Sequence, residues 1–318
     1  MANLDELFGK KASRIVLGTA SDSFIKGEDQ SKILDEAFSL GINFLDTARA
    51  YGGSEKTIGK WMKERGNRDQ LILLSKGGHP GPIFNRVKEK EIRKDLERSL
   101  MELGTDHIDL YMLHRDDKKV DVKDIVTWMA SFIQEGKILA YGFSNWEGKR
   151  IEEAIDWAKK LGLPSPIATS PNYSLAHQKE DPWGHHSVSL SGEENLSQVA
   201  FYRKSQIAVF AYSALSRGFF SGRFKAKERE KAKQVLDRFA IKAFDEEDNY
   251  LRLSRVEELA EKKNALVSQI AIRWLFEQGM DLYAILQSSS KKHLQEALDA
   301  LKIEMSQEEA AYLNLGIY

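Results

Sequence analysis

The chain has 318 residues, with 47 lysines and arginines against 48 aspartates and glutamates, and it contains no cysteine. A net charge of -1 supplies no long-range attraction to nucleic acid or anionic lipid, and the absence of thiols excludes disulfides and thiolate catalysis. With 42% hydrophobic residues, no apolar run of membrane length and no basic-then-apolar leader at Met1-Ala2-Asn3-Leu4-Asp5-Glu6-Leu7, the expectation is a globular cytoplasmic protein, monomeric or a small homo-oligomer, with neither nucleic-acid nor membrane partners.

Short apolar runs recur along the chain at 15–17, 43–45, 71–74, 108–113, 138–143, 167–169, 207–211 and 282–285. Most of their starts are spaced by roughly the 30 residues of one βα unit. The last interval is the exception. Between the runs lie patterns of helical period, such as Ile33-Leu34-Ala37-Phe38-Leu40, Ile92-Leu96-Leu100-Leu103, Ile125-Trp128-Met129-Phe132, Ile151-Ala154-Ile155-Ala158 and Leu294-Leu298-Leu301. Gly41, Gly66, Gly104, Gly136 and Gly162 each follow such a segment closely, where a left-handed C-terminal residue belongs.

Strands alternating with helices predict an α/β protein with a parallel sheet, and eight such units predict a closed (β/α)8 TIM barrel. No Gly-x-Gly-x-x-Gly follows the first run; Gly18-Thr19-Ala20-Ser21 stands there instead, which argues against an open Rossmann sheet. No linker-like tract interrupts the chain, so residues 1–318 read as one domain. Two stretches, 174–204 and 217–250, read as long loops after the sixth and seventh strands, and a helix from Ser306 to Leu313 reads as the C-terminal element. The charge run Lys225-Ala226-Lys227-Glu228-Arg229-Glu230-Lys231-Ala232-Lys233 mixes both signs and reads as an exposed helix.

In such a barrel the C-terminal ends of the strands carry function. The second strand stops at Asp46, with Tyr51 in the loop that follows, and the third ends in Ser75-Lys76-Gly77-Gly78-His79. The fourth ends in Leu113-His114-Arg115-Asp116-Asp117, the fifth in Ser144-Asn145-Trp146, and the sixth in Ser170-Pro171-Asn172-Tyr173. After the seventh comes Tyr212-Ser213-Ala214-Leu215-Ser216-Arg217-Gly218. Each alone reads as easily as an ordinary solvated turn; ionisable residues on three successive strand ends do not.

Asp46, Tyr51, Lys76 and His114, in that order, resemble the catalytic tetrad of the aldo-keto reductases. The resemblance runs along nearly the whole chain, through Leu17-Gly18-Thr19, Asp46-Thr47-Ala48, Tyr51-Gly52, Asp106 to His114, Ser144-Asn145 and Tyr212-Ser213. It implies reduction of an aldehyde or ketone, sugar-derived by one reading of the aromatic and polar loop residues, with hydride from a nicotinamide cofactor. Tyr51 is then the general acid. Lys76 would lower its pKa, Asp46 would keep Lys76 charged, and His114 would orient the carbonyl.

The resemblance also implies a cofactor site, NADP in preference to NAD. Ser144, Asn145 and Ser170 would bind the carboxamide, Tyr212 would stack on the ring, and Ser213, Leu215, Arg217 and Gly218 would lie along the pyrophosphate, with Gly18 and Thr19 nearby. Gln287, Ser289, Lys291 and His293 would meet the adenosine phosphate. Ser170 stands where many members carry Gln, and Ala297 near an expected Asn. Trp146, Trp183 and His185 are candidate substrate contacts. The grouping of His177, His185 and His186 lacks the spacing of a metal site, so no metal is expected. Two other readings stay open: a cofactor-binding sensor of the same fold with little turnover, and a barrel aldolase or isomerase using Lys76 as a Schiff-base nucleophile.

Overall fold

The computed structural model describes residues 4–81, 85–184 and 186–316. Eight parallel strands close in chain order into a barrel: β1 Ile15–Gly18, β2 Phe44–Asp46, β3 Ile72–Gly77, β4 Ile108–Leu113, β5 Ile138–Ser144, β6 Ala168–Ser170, β7 Ala208–Ala211 and β8 Leu282–Leu286. Helices alternate with them, as the run spacing predicts. β3 extends past its apolar run: Ser75 and Lys76, polar in the sequence, are buried and stay in register with Tyr111 and Met112 of β4.

The chain divides into two compact units. The first, Met1–Ser170 with Gln287–Lys291, carries β1 to β6; the second, Pro171–Leu286 with Lys292–Tyr318, carries β7 and β8. In the first, the register sets Gly18 against Asp46, Asp46 against Leu74, Lys76 against Met112 and Ser144 against Ser170. The ladder then runs beyond the strands: Thr47 N donates to Leu74 O at 2.8 Å, His114 N to Gly77 O at 2.8 Å and Asn145 N to Ser170 O at 3.1 Å. The residues just after the strands are thereby held by backbone bonds as if they were strand.

Helix Ser54–Arg65 buries Ile58, Trp61 and Met62 along one side and stops at Gly66 in the left-handed conformation. Helix Glu89–Leu103 buries Ile92, Leu96 and Leu103 and stops at Gly104 in the same way. The two helices meet at Gly59, where an added Cβ would lie 2.3 Å from Glu102 O and 2.8 Å from the carbonyl carbon of Leu103. Backbone cannot yield as a side-chain tip can. Gly59→Ala is therefore expected to destabilise by about 1–3 kcal/mol, outweighing the roughly 1 kcal/mol that alanine gains over glycine in a helix; a fall in the urea midpoint at unchanged slope is the check.

In the second unit β7 pairs with β8 through Val209 with Leu282, Phe210 with Tyr283 and Ala211 with Ala284. The long interval before β8 is filled by helices Arg229–Val235, Arg238–Phe244, Glu247–Lys262 and Val267–Phe276. The stretch 217–250, expected as a loop, is thus largely helical. Its inward face is built from Ala232, Ala240, Ala243 and Phe244, an alanine-rich stripe that dense surface charge hides from periodicity.

The stretch from 174 is irregular as far as the short turn at Glu193–Asn195, and helix Leu196–Ser205 follows. Its backbone is satisfied locally: the Asp181 carboxylate accepts from the amides of Trp183 (3.0 Å), Gly184 (3.1 Å) and Ser187 (2.9 Å). The terminal helix is Gln307–Leu315, with Ser306 and Glu309 forming a capping box. Among the described residues no helix is long and apolar enough to cross a membrane.

Candidate active site

The loop after β2 is tied at both ends to its neighbours. Arg49 N donates to Lys76 O at 2.9 Å, and the Arg49 guanidinium reaches the Glu55 carboxylate at 2.5 Å. Glu55 is fully buried and also accepts from Ser75 Oγ at 2.6 Å. Burial raises the Glu55 pKa, while Ser75, Ser99 and Arg49 pull it back. The segment that presents Tyr51 is in this way fastened to the strand that presents Lys76. Gly52, at positive φ, sits where a Cβ would come 2.5 Å from Ile25 O, so only glycine fits beside Tyr51.

The side chains of Asp46 and Lys76 are both buried and form an ion pair, and Lys76 Nζ also donates to Thr47 O at 3.0 Å. The same ammonium stands 5.2 Å from the centre of the Tyr51 ring. Tyr51, half-buried, meets the His114 ring edge-on at 5.6 Å, and His79 meets His114 edge-on at 4.8 Å. All four residues of the expected tetrad are together in the first unit.

Burial alone would pull the Lys76 pKa down, but Asp46 and Tyr51 carry it above the usual lysine value, so the ammonium is kept. Burial raises the Asp46 carboxyl against the pull of Lys76. With Lys76 and Asp46 in direct contact, we assign the pair as ammonium and carboxylate. For Tyr51 the outcome differs from the expectation: burial outweighs Lys76, and the phenol lies above its ordinary value. The lysine acts in the expected direction and loses to desolvation. His114 is held well below its ordinary range, by burial first and then by Lys76, His79 and Arg115. It is the neutral imidazole, and among the described residues its Nδ1 has no hydrogen-bond partner.

Other residues expected at the site fall into several environments. Gly18 ends β1; Thr19, fully buried, donates to Asp46 O at 2.8 Å and accepts from Ser54 Oγ at 2.7 Å, so its hydroxyl is committed to the fold. Ser144 Oγ donates to Ser170 O at 2.9 Å, and Asn145, buried at a φ of 58°, donates to Ser144 Oγ at 3.0 Å. Next to Ser170, the buried Thr169 Oγ1 has no partner among the described residues. Gln287 and Ser289 are exposed, as are Lys291 and His293 in the first turn of helix Lys291–Ala300.

In the second unit, the loop after β7 holds Ser213, Ser216, Arg217 and Gly218 all at positive φ. The loop closes on itself through its own backbone: Ser216 N donates to Ser213 O at 2.6 Å and Gly218 N to Leu215 O at 3.0 Å. Leu215 immediately precedes the three-residue turn Ser216–Gly218 in this loop. Trp183 stands edge-on to Tyr212 at 5.5 Å and under the Arg217 guanidinium at 5.7 Å, while Arg217 pairs with Asp237 at 2.6 Å.

Trp146, expected as a substrate contact, is fully buried, stacked on Phe143 at 3.9 Å with the Arg150 guanidinium 5.0 Å away. Phe219 and Phe220, in the loop after β7, are fully buried and pack edge-on at 5.5 Å. His185 lies outside the described residues. Among those described, no group of three or more potential ligands is placed to hold a metal ion.

The ion pair between the part-buried Arg49 and the buried Glu55 was not expected from the sequence, nor was the lack of a partner at Arg115 among the described residues. The signal for Glu55 was its place near the start of a helix, where a carboxylate reads as a surface residue.

Within the first unit, the hydroxyl of Ser144 and the carboxamide of Asn145 at the end of β5 are polar groups of the kind that a nicotinamide carboxamide pairs with. The model of the aldo/keto reductase family matches residues 14–315. Aldo-keto reductase str7 of Strobilurus tenacellus is 29% identical over 89% of this chain and 80% of its own length. Aldo-keto reductase yakc [NADP(+)] of Schizosaccharomyces pombe is 27% identical over 94% of this chain and 84% of its own. The L-glyceraldehyde 3-phosphate reductase of Escherichia coli K12 is 25% identical over 91% and 84%. The chain belongs to the aldo/keto reductase family and is an NAD(P)-dependent oxidoreductase.

Proposed function

We propose that the protein reduces an aldehyde or ketone to the alcohol with NADPH, and that Tyr51 supplies the proton. The observation that carries this reading is the contact of Asp46 with Lys76 directly beside Tyr51 and a neutral His114. When bound, the cofactor supplies the hydride. Negative charge then grows on the carbonyl oxygen, and a neutral phenol beside an ammonium is built to meet it. Lys76 stabilises the phenolate left behind, and Asp46 keeps Lys76 protonated. His114 donates a hydrogen bond that orients the carbonyl oxygen. A lysine held as ammonium is no Schiff-base nucleophile, which sets the aldolase reading aside.

In the first unit Ser144, Asn145 and Ser170 would hold a carboxamide; in the second, taken by itself, Tyr212 offers a ring face for stacking and the loop from Ser213 through Leu215 and Arg217 to Gly218 would take a pyrophosphate. Lys291 and His293 would favour the extra phosphate of NADP, and the S. pombe relative carries NADP(+) in its name. The E. coli relative is named for a three-carbon sugar phosphate, which supports a short, sugar-derived carbonyl as the substrate class here.

Consumption of NADPH and NADH with a panel of reactive aldehydes tests the reading. Turnover with a higher kcat/KM for NADPH is expected; tight cofactor binding with no turnover across the panel would refute it. The pH profile is a further check. His114 is depressed, so it stays neutral above its folded pKa, and Tyr51 is raised, so it keeps its proton below its own. With an uncharged aldehyde, kcat/KM is expected to be flat between about pH 6.5 and pH 9. A break near pH 6.5 that disappears in His114→Gln would contradict the neutral assignment.

A further inference from the structure

Arg115 follows His114 at the end of β4 and is only 7% exposed. Among the described residues it makes no hydrogen bond and no ion pair, and its Nε is sealed from solvent without a partner. The carboxylates of the strand ends, and the two that follow Arg115 in the chain, have partners other than Arg115. Asp116 pairs with Arg150 at 2.7 Å, Asp117 caps the amide of Lys119 at 3.1 Å, Asp46 holds Lys76, and Glu55 holds Arg49. Asp95 binds Arg86 at 2.7 Å and the amide of Gly78 at 2.9 Å. Arg115 nevertheless lies close enough to Tyr51 and His114 to act electrostatically on both.

A guanidinium cannot shed its proton to escape burial, as a lysine can. An unmatched buried charge is among the costliest features a fold can carry, and it persists where function uses it. The planar fork of arginine suits one kind of partner above others, a carboxylate or phosphate that accepts two parallel hydrogen bonds. We infer that Arg115 is a substrate-binding residue that receives an oxyanion, so that the preferred substrate is a small aldehyde or ketone carrying a carboxylate or phosphate group. This rests on the carbonyl-reducing reading for the other end of the molecule. His114 would orient the carbonyl, and its neighbour Arg115 would hold the anionic end. With Asp46 and Lys76 neutralising each other, Arg115 leaves the site one positive charge in excess, and the substrate would balance it.

Two measurements test this on the wild type, Arg115→Met and Arg115→Lys. Calorimetry on protein saturated with NADP+ compares glycerol 3-phosphate with glycerol. The wild type is expected to bind the phosphate at least about 10-fold more tightly, with the difference gone in Arg115→Met and partly restored in Arg115→Lys. Turnover compares glycolaldehyde phosphate with glycolaldehyde, and succinic semialdehyde with butanal. The ratio of kcat/KM for the charged over the uncharged partner is expected to fall by about 10- to 100-fold in Arg115→Met, and the pair with the larger ratio names the anion.

The melting temperature of the ligand-free protein supplies a signature that a structural arginine would not: removing an unmatched buried charge should raise it, whereas removing a structural one lowers it. Equal binding of both ligands by the wild type, or a preference unchanged in Arg115→Met, overturns the inference while leaving carbonyl reduction intact. So does a loss of NADP+ affinity in Arg115→Met, which would assign Arg115 to the cofactor. An Arg115-dependent preference in calorimetry without turnover of any of the four aldehydes would keep the anion site and refute the reaction instead.

Discussion

Tyr51→Phe is expected to lower kcat/KM for an aldehyde by about 100- to 10,000-fold, the range for removing a general acid, while cofactor affinity stays within about 2-fold. The substitution removes one oxygen and leaves the ring in its edge-on contact with His114, so the packing of the loop is kept. The loop is in any case fastened through Arg49 and Glu55 and not through the phenol. What remains is hydride transfer to a carbonyl whose oxygen must draw its proton from water or from His114, a neutral imidazole poorly suited to give it up. Stopped-flow consumption of NADPH in a single turnover separates the chemical step from product release. A loss of less than about 5-fold in that step, well short of the general-acid range, would remove Tyr51 from the role of acid.

The barrel was legible because its strands are continuous apolar runs of five residues or so, set at the period of a βα unit, and that signal does not depend on tertiary context. The helices between β7 and β8 were not legible, since their buried faces are made of alanines set among charges, where hydrophobicity barely oscillates. At the site, Asp46, Lys76 and His114 stood out as a set, because ionisable residues on three successive strand ends are harder to explain as ordinary turns than any one of them alone. The direction of the Tyr51 shift could not be read in the same way. It is a balance between burial and one ammonium, and burial is a property of the packed chain. Trp146 illustrates a related limit: an aromatic residue at a strand end can face a substrate or stack on its own strand, and here it stacks on Phe143. Arg115 was visible in the sequence but ordinary there. Its meaning comes from the partners it does not have, and pairing is decided by long-range contacts such as the one that gives Asp116 to Arg150.

Turnover and stability are expected to respond separately to substitutions in the Asp46 and Lys76 pair. Lys76→Met leaves Asp46 buried without its counter-ion, and breaking such a pair costs about 3–5 kcal/mol. It also removes the charge that favours the phenolate of Tyr51, so the chemical step should slow by at least the 100-fold or so expected for an unassisted acid. Asp46→Asn keeps the ammonium at low pH, held by Thr47 O. With the carboxylate gone, burial dominates and the Lys76 pKa falls, since Asp46 is the foremost influence holding it up. The wild-type profile, flat to about pH 9, should then acquire a limb that descends as pH rises through the lowered lysine pKa. The double substitution Asp46→Asn with Lys76→Met removes both charges, so its urea midpoint should recover toward the wild type relative to Lys76→Met alone, while its turnover should stay at the level of that single variant. Recovery of stability without recovery of rate would place Lys76 in the chemistry and Asp46 in its support; a double variant as unstable as Lys76→Met, or an Asp46→Asn profile as flat as the wild type, would dissolve that division of labour.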